Sequence, residues 1–301
     1  MSEEHNSTGG ANVAPLTLCT DDGCPIAATR YRARADRRGV MLVAPATLVH
    51  QHYYAAFAEH FADLGWDVLI WDWRGVAESR FGLSDCDSRL TMRNWGVGDL
   101  SAAIAWADRR ADGDPVVLVG HSFGGQAVAL ANNSSRLDAI VLIGAQHGWF
   151  GNWPFMWRMV LAPFWYLVMP LVTRLLGYFP GSYFGMRGRL PRGVALEWAR
   201  WCRRREHHGE WGNLANVRAP VLAISASDDH IAPRRAVTRL LDEFRAATRI
   251  SHRHLEPRSV GVARIGHFGF FREGGVPGLW RECARFLDEV AAHPPLGTAA
   301  S

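Results

Sequence analysis

Apolar runs at residues 40–44, 68–71, 116–119, 139–143 and 221–225 show no regular polar alternation. A strand with one face in water alternates polar and apolar side chains, so these runs belong to strands covered on both faces. Between them, segments 54–64, 95–109, 124–131, 234–244 and 279–291 carry apolar residues at helical spacing. Strands that alternate with helices along a chain build a mainly parallel sheet with helices on both faces. Two earlier segments, 16–19 and 26–31, are joined by Asp21, Asp22 and Gly23 and read as an edge hairpin. A last strand is expected near 249–255. The fold class is therefore α/β, with one mostly parallel central sheet, and 301 residues suffice for a single core with an insertion.

One stretch interrupts the alternation. Residues 147–214 show no clear strand, hold seven of the 13 tryptophans, and include the run PFMWRMVLAPFWYLVMPLVTRLL from Pro154. Arg158, Pro163, Pro170 and Arg174 interrupt the ~20 apolar residues that a bilayer span requires, which favours a helical cap over a transmembrane span. The expected organisation is a disordered tail at 1–13, a core at 14–146 and 215–293, a cap at 147–214 and a second disordered tail at 294–301.

Composition excludes several function classes. All 33 basic residues are arginine, which removes any mechanism built on a lysine Schiff base, pyridoxal phosphate chemistry included. The formal charge is +4 and the arginines are scattered, with Arg203, Arg204 and Arg205 the single basic run, so no nucleic-acid partner is expected. Five cysteines at irregular spacing form neither a zinc pair nor a redox CxxC and fit a reducing cytoplasm. The polar, acidic start MSEEHNSTGG has no secretory-signal pattern.

The chemistry is carried by Gly120-His121-Ser122-Phe123-Gly124-Gly125, which follows the strand PVVLV and precedes the helix-like QAVALAN. This is a G-x-S-x-G nucleophile elbow in the strand-turn-helix context the motif demands. The tight turn lifts Ser122 from the sheet edge, and a helix start there favours developing negative charge. A serine hydroxyl needs a neighbouring base, itself oriented by an acid. Past the strand VLAIS lie Ser227, Asp228, Asp229 and His230, followed by IAP; past the last strand lies Ile265-Gly266-His267-Phe268-Gly269.

Here the chain resembles the α/β-hydrolase superfamily, in its capped bacterial esterase or serine-aminopeptidase-like branch. ASDDHIAP is similar to the G-x-x-D-x-I/V-x-P acid loop, with Ala226 where glycine is usual, and IGHFGFF is similar to the histidine loop. The resemblance spans residues 15–145 and 215–292; the cap matches no known pattern. It implies Ser122 as nucleophile, His267 as general base and Asp229 as the orienting acid, with Asp228 the alternative. It also implies an oxyanion hole from the amides of Phe123 and of the loop after the third strand. That loop reads Ala44-Pro45-Ala46-Thr47; proline has no N–H, so Ala46 is expected as donor and Thr47 held in reserve. Trp71-Asp72-Trp73-Arg74-Gly75 through Ser79 is similar to the D-x-R-G-x-G-x-S segment, in which Asp72 is structural.

The implied reaction is hydrolysis of an ester, or less readily an amide or thioester, of an apolar acyl or aromatic substrate through an acyl-enzyme. Thr47, His147 and Trp149 are expected at the substrate; His50 and His52 could line the pocket mouth, while His121, His252 and His254 are expected to pack. No metal and no cofactor are implied. The expected partner is a small molecule, with no transmembrane span, and a homodimer stays open. Acyl transfer with the same triad and a non-catalytic ligand-binding role are the alternatives.

Overall fold

The computed structural model describes residues 12–184, 188–206, 212–272, 274 and 278–292. Among them eight strands form one sheet: β1 (Val13–Cys19), β2 (Pro25–Tyr31), β3 (Gly39–Ala44), β4 (Trp66–Trp71), β5 (Val116–His121), β6 (Ala139–Ile143), β9 (Val221–Ala226) and β10 (Ile250–Leu255). Their spatial order is β1-β2-β4-β3-β5-β6-β9-β10. The β1-β2 and β2-β4 pairs are antiparallel and the rest parallel. The mostly parallel sheet and its edge hairpin are thus as the apolar runs require.

Every residue of β3, β4, β5, β6 and β9 is buried, whereas β1 and β10 at the two edges keep partly exposed side chains. Helices Ala55–Asp63 and Leu279–Ala292 pack on one face through Phe57, Phe61, Phe286 and Leu287. Helices Ser101–Ala111 and Arg234–Leu241 cover the other through Ile104, Ala107, Val237 and Leu240. Parallel strands need such crossover helices, and two covered faces explain why the strands read as uninterrupted apolar runs.

The segment between β6 and β9 departs from expectation in two ways. It contains a short antiparallel ladder, β7 (Tyr178–Phe179) with β8 (Leu190–Pro191), too brief to leave a sequence signal. Its prolines also do not end the helix. An α-helix at Phe155–Pro163 passes through a π-helical stretch at Phe164–Val168 into a second α-helix at Met169–Leu176. A π-turn re-registers the backbone and so lets the chain continue past a residue that cannot donate. At the amino end, Val13 is not tail but the first residue of β1, paired with Tyr31; the remaining tail expectations, 1–11 and 294–301, lie outside the described residues.

Just past the carboxyl end of β4, against the β1–β2 turn, lies an ion-pair network that the sequence did not announce. Arg74, fully buried, donates from Nε to Asp99 Oδ1 (2.6 Å), from its backbone N–H to Asp99 Oδ2 (2.9 Å), and from Nη1 to Asp22 Oδ2 (2.6 Å). Asp99 is equally buried; burial pushes its carboxyl upward and the Arg74 guanidinium opposes that push. Asp72 is structural, as expected. It is buried, and accepts from the Gln51 and Glu78 amides, while its carbonyl accepts from Ser79 Oγ at 2.7 Å.

Candidate active site

Ser122 follows β5 with φ 52° and ψ −116°, a conformation that costs a non-glycine residue roughly 1–3 kcal/mol. The surroundings enforce it. A side chain on Gly124 would overlap the Ala44 carbonyl, and one on Gly120 would overlap the Gly125 backbone, so the turn can be this tight only with both glycines. The Ser122 amide donates to the Ile143 carbonyl of β6 (2.9 Å). The helix that follows is shorter than the 124–131 expected: α-helical at Phe123–Gln126, then 3-10 at Ala127–Ala129. Two consecutive glycines are poor helix formers, and any dipole so short is weak.

The two neighbouring aspartates after β9 do different work. Asp229 Oδ1 accepts from the Ile231 and Ala232 amides, each at 2.9 Å, and its Oδ2 lies 2.8 Å from His267 Nδ1. Asp228 instead accepts from the Ile265 and Gly266 amides, both at 3.0 Å, and so anchors the histidine loop. A carboxylate opposite Nδ1 holds the proton there and leaves Nε2 as the accepting nitrogen. Gly144, at φ +56°, lies against both groups; a Cβ there would come 3.2 Å from His267 Nδ1 and 3.3 Å from Asp229 Oδ2. Since Gly144 follows Ile143, the partner of the Ser122 amide, the elbow and the His267–Asp229 pair meet at one end of β5 and β6. No hydrogen bond joins Ser122 Oγ to His267 among the described residues.

The oxyanion expectation needs a correction. The Ala46 amide donates to the Tyr54 hydroxyl at 2.9 Å, so it is already engaged. The Thr47 amide, next along the loop, meets no protein acceptor among the described residues, and neither does that of Phe123. Leu48, with φ 60°, adds a second strained residue beside it.

Tyr54 itself was not foreseen. Its oxygen accepts from Ala46 and lies 2.9 Å from His121 Nδ1, while His121 Nε2 lies 3.0 Å from the His267 carbonyl. With the carbonyl able only to accept, Nε2 carries the proton and Nδ1 accepts from the Tyr54 hydroxyl. One fully buried chain of hydrogen bonds thus ties the loop after β3, the elbow and the histidine loop together. Burial pushes the Tyr54 phenol well above its usual range. Tyr54→Phe should keep the edge-to-face packing on Phe271 (4.8 Å) but strand two polar groups. The expected result is a stability loss of about 1–3 kcal/mol and a roughly 10- to 100-fold fall in kcat with little change in KM, read by denaturant titration and steady-state kinetics.

Burial, with the neighbouring His267 second, holds the His121 imidazole well below its ordinary value of 6.5. An unfolded chain protonates this residue near 6.5 and the folded one does not. Below that point the unfolded state binds the extra proton, so stability drops as pH falls. The slope attributable to His121 should approach about 1.4 kcal/mol per pH unit, seen in denaturant midpoints taken from about pH 7.5 to 5 and flattened in His121→Gln.

The remaining expected contacts are scattered. His147 is buried, its backbone N–H donating to the Ala236 carbonyl (2.9 Å) and its own carbonyl accepting from Asn152 Nδ2 (3.0 Å). Trp149 lines a cleft of about 720 Å³ with Arg205, Arg234, Arg235, Arg239 and Asp242, and none of Ser122, Asp229 and His267 lines it. His52 pairs with Glu78 at the surface, and both His252 Nε2 and His254 Nδ1 lie 2.8 Å from Ser225 Oγ, a packing arrangement as expected. Phe123 sits among the rings of Trp73, Trp95 and Trp201, the last contributed by the helix Arg192–Arg203.

Residues 40–167 match a family model described as the alpha/beta hydrolase fold. No curated protein matches the chain in sequence. Among solved structures, a soluble variant of monoglyceride lipase from Saccharomyces cerevisiae in complex with a substrate analog is similar, with 12% identity, a TM-score of 0.70, and coverage of 96% of this chain and 99% of that one. DcsB in complex with its substrate analogue gives 16%, 0.67, 92% and 99%. A thermostable carboxyl esterase from Bacillus coagulans, in complex with glycerol, gives 11%, 0.63, 94% and 100%. Similarity at such identities is similarity of fold.

Proposed function

Because this chain has the α/β-hydrolase fold, we propose that it is a serine hydrolase that cleaves esters of apolar acyl or aromatic substrates through an acyl-enzyme. In this reading Ser122 Oγ attacks the substrate carbonyl while His267 Nε2 takes its proton, and Asp229 steadies the imidazolium that results. The negative charge that develops on the carbonyl oxygen is met by the amides of Phe123 and Thr47. His267 then returns the proton to the departing alcohol, and water, deprotonated by the same nitrogen, releases the acid. Residues 147–214 act as a cap over this end of the sheet.

The observation that carries the reading is the 2.8 Å contact between His267 Nδ1 and Asp229 Oδ2 beside a serine held at φ 52°. Structural ion pairs need no strained neighbour; a nucleophile elbow does.

A fluorophosphonate probe tests the proposal. It should label wild-type protein at Ser122, fail on Ser122→Ala, and label His267→Ala far more slowly. Folded protein that resists the probe and leaves p-nitrophenyl esters of every chain length intact would sink the reading.

A further inference from the structure

From residue 139 to residue 196 the chain contains no aspartate and no glutamate, but five arginines. The helical run Phe155–Leu176 lies inside this stretch and, among the described residues, is the one helix long and apolar enough to cross a membrane. Its two faces are both apolar and differ in what covers them. Trp165, Met169 and Thr173, four residues apart, are buried, and Trp165 packs on Trp198 of the helix Arg192–Arg203 at 5.2 Å. On the opposite face Phe155, Met156, Met159, Val160, Leu167 and Leu175 are between 59% and 75% exposed. The largest apolar patch on an ordinary monomer covers about 300–600 Å² and is often functional; here large side chains follow one another for five turns with none of the described residues over them.

We propose that this face docks on the surface of an anionic phospholipid bilayer, the helix lying in the plane of the headgroups. A span is incompatible with the packed inner face, which would have to be stripped from the rest of the protein. An interfacial helix needs one apolar face, cationic residues beside it and no acid to repel the lipid phosphates. Arg158 and Arg174 supply the cations; Arg174 is exposed, and Arg158 is held at the first turn by its Nε bond to the Trp153 carbonyl (2.7 Å). Long arginine stems allow the charge to reach headgroups while the apolar side chains enter the acyl boundary.

A second copy of the chain is a poorer occupant. A two-fold contact of this face with itself would bring four arginines together with no carboxylate in the segment to answer them. The docked helix also touches the candidate site. Trp153 Nε1 donates to the His230 carbonyl at 2.9 Å, and the Trp157 ring stacks on His230 at 5.8 Å, next to Asp229. The acid loop therefore borders the lipid-facing edge, although docking itself does not rest on the hydrolytic reading.

The test is flotation of the full chain with vesicles of phosphatidylglycerol and phosphatidylcholine in equal parts, and with phosphatidylcholine alone. Wild type and Ser122→Ala should float alike with the anionic vesicles and less with the neutral ones. The pair Met159→Glu and Val160→Glu should weaken the partition by about tenfold or more at unchanged melting temperature, and a second pair, Leu167→Ser and Leu175→Ser, should do the same if the first fails to fold. Protein left in solution by both vesicle types overturns the proposal. So does a dimer that these substitutions split without any vesicle binding, and so does protein that an alkaline carbonate wash cannot release.

Discussion

Ser122→Ala should lower ester turnover by about 10⁴-fold or more while leaving the unfolding midpoint close to wild type. Alanine keeps the Cβ, so the backbone at φ 52° stays as strained as before and the removed oxygen has no hydrogen-bond partner among the described residues to abandon. Ser122→Gly separates the two roles of the position. It is equally inactive but relieves the strain, and net of glycine's extra chain entropy it should raise stability by about 1 kcal/mol or more. A gain in stability on removing the side chain would identify Ser122 as a residue held against its own preference. Steady-state turnover with a p-nitrophenyl ester and urea titration of the three proteins decide the matter; equal stability of the glycine and alanine variants would remove strain from the account.

The second large effect concerns stability alone. Asp99→Asn should destabilise the fold by about 3–5 kcal/mol, because the Arg74 charge would stay buried with only the partly exposed Asp22 to balance it. Against a total of about 5–15 kcal/mol for an ordinary domain, such a loss brings the protein close to unfolding at ambient temperature. The cost lies in stranding a charge rather than in the worth of the pair itself. Replacing both partners, as Arg74→Met with Asp99→Leu, should therefore recover most of the loss. Urea unfolding of single and double variants measures the coupling, and a double variant as weak as Asp99→Asn would contradict the explanation.

How far the sequence could be read depended on whether the signal was local. Strands buried on both faces leave unbroken apolar runs, so the sheet was legible, as was the elbow, whose glycines are demanded by backbone contacts within a few residues. Asp229 could be placed over Asp228 by its spacing from Ile231 and Pro233, but the part Asp228 plays on the histidine loop depends on residues 37 and 38 positions away. Tyr54 and Ala46 illustrate the same limit. Nothing in YAAFAEHF from Tyr54 or in Ala44-Pro45-Ala46-Thr47 tells that a phenol will fold back to occupy the very amide expected to serve the substrate. Trp149 was expected at the substrate, yet it lines a cleft with four arginines and Asp242. The π-helical stretch between Pro163 and Pro170 was hidden too, because proline's effect on a helix depends on whether neighbouring turns can absorb it.

The interruption between β6 and β9 has a temporal consequence. Those strands are neighbours in the sheet yet are separated by the whole inserted segment, so joining them closes a long loop, an entropic penalty that grows with the logarithm of its length. β5, which ends in the Ser122 turn, can assemble with its neighbours β3 and β6, whereas Asp229 and His267 arrive only with the last strands. A ribosome-bound chain halted after the insertion would hold the strained Ser122 turn without the His267–Asp229 pair beside it, so the two halves of the candidate site would meet only in the last event of folding.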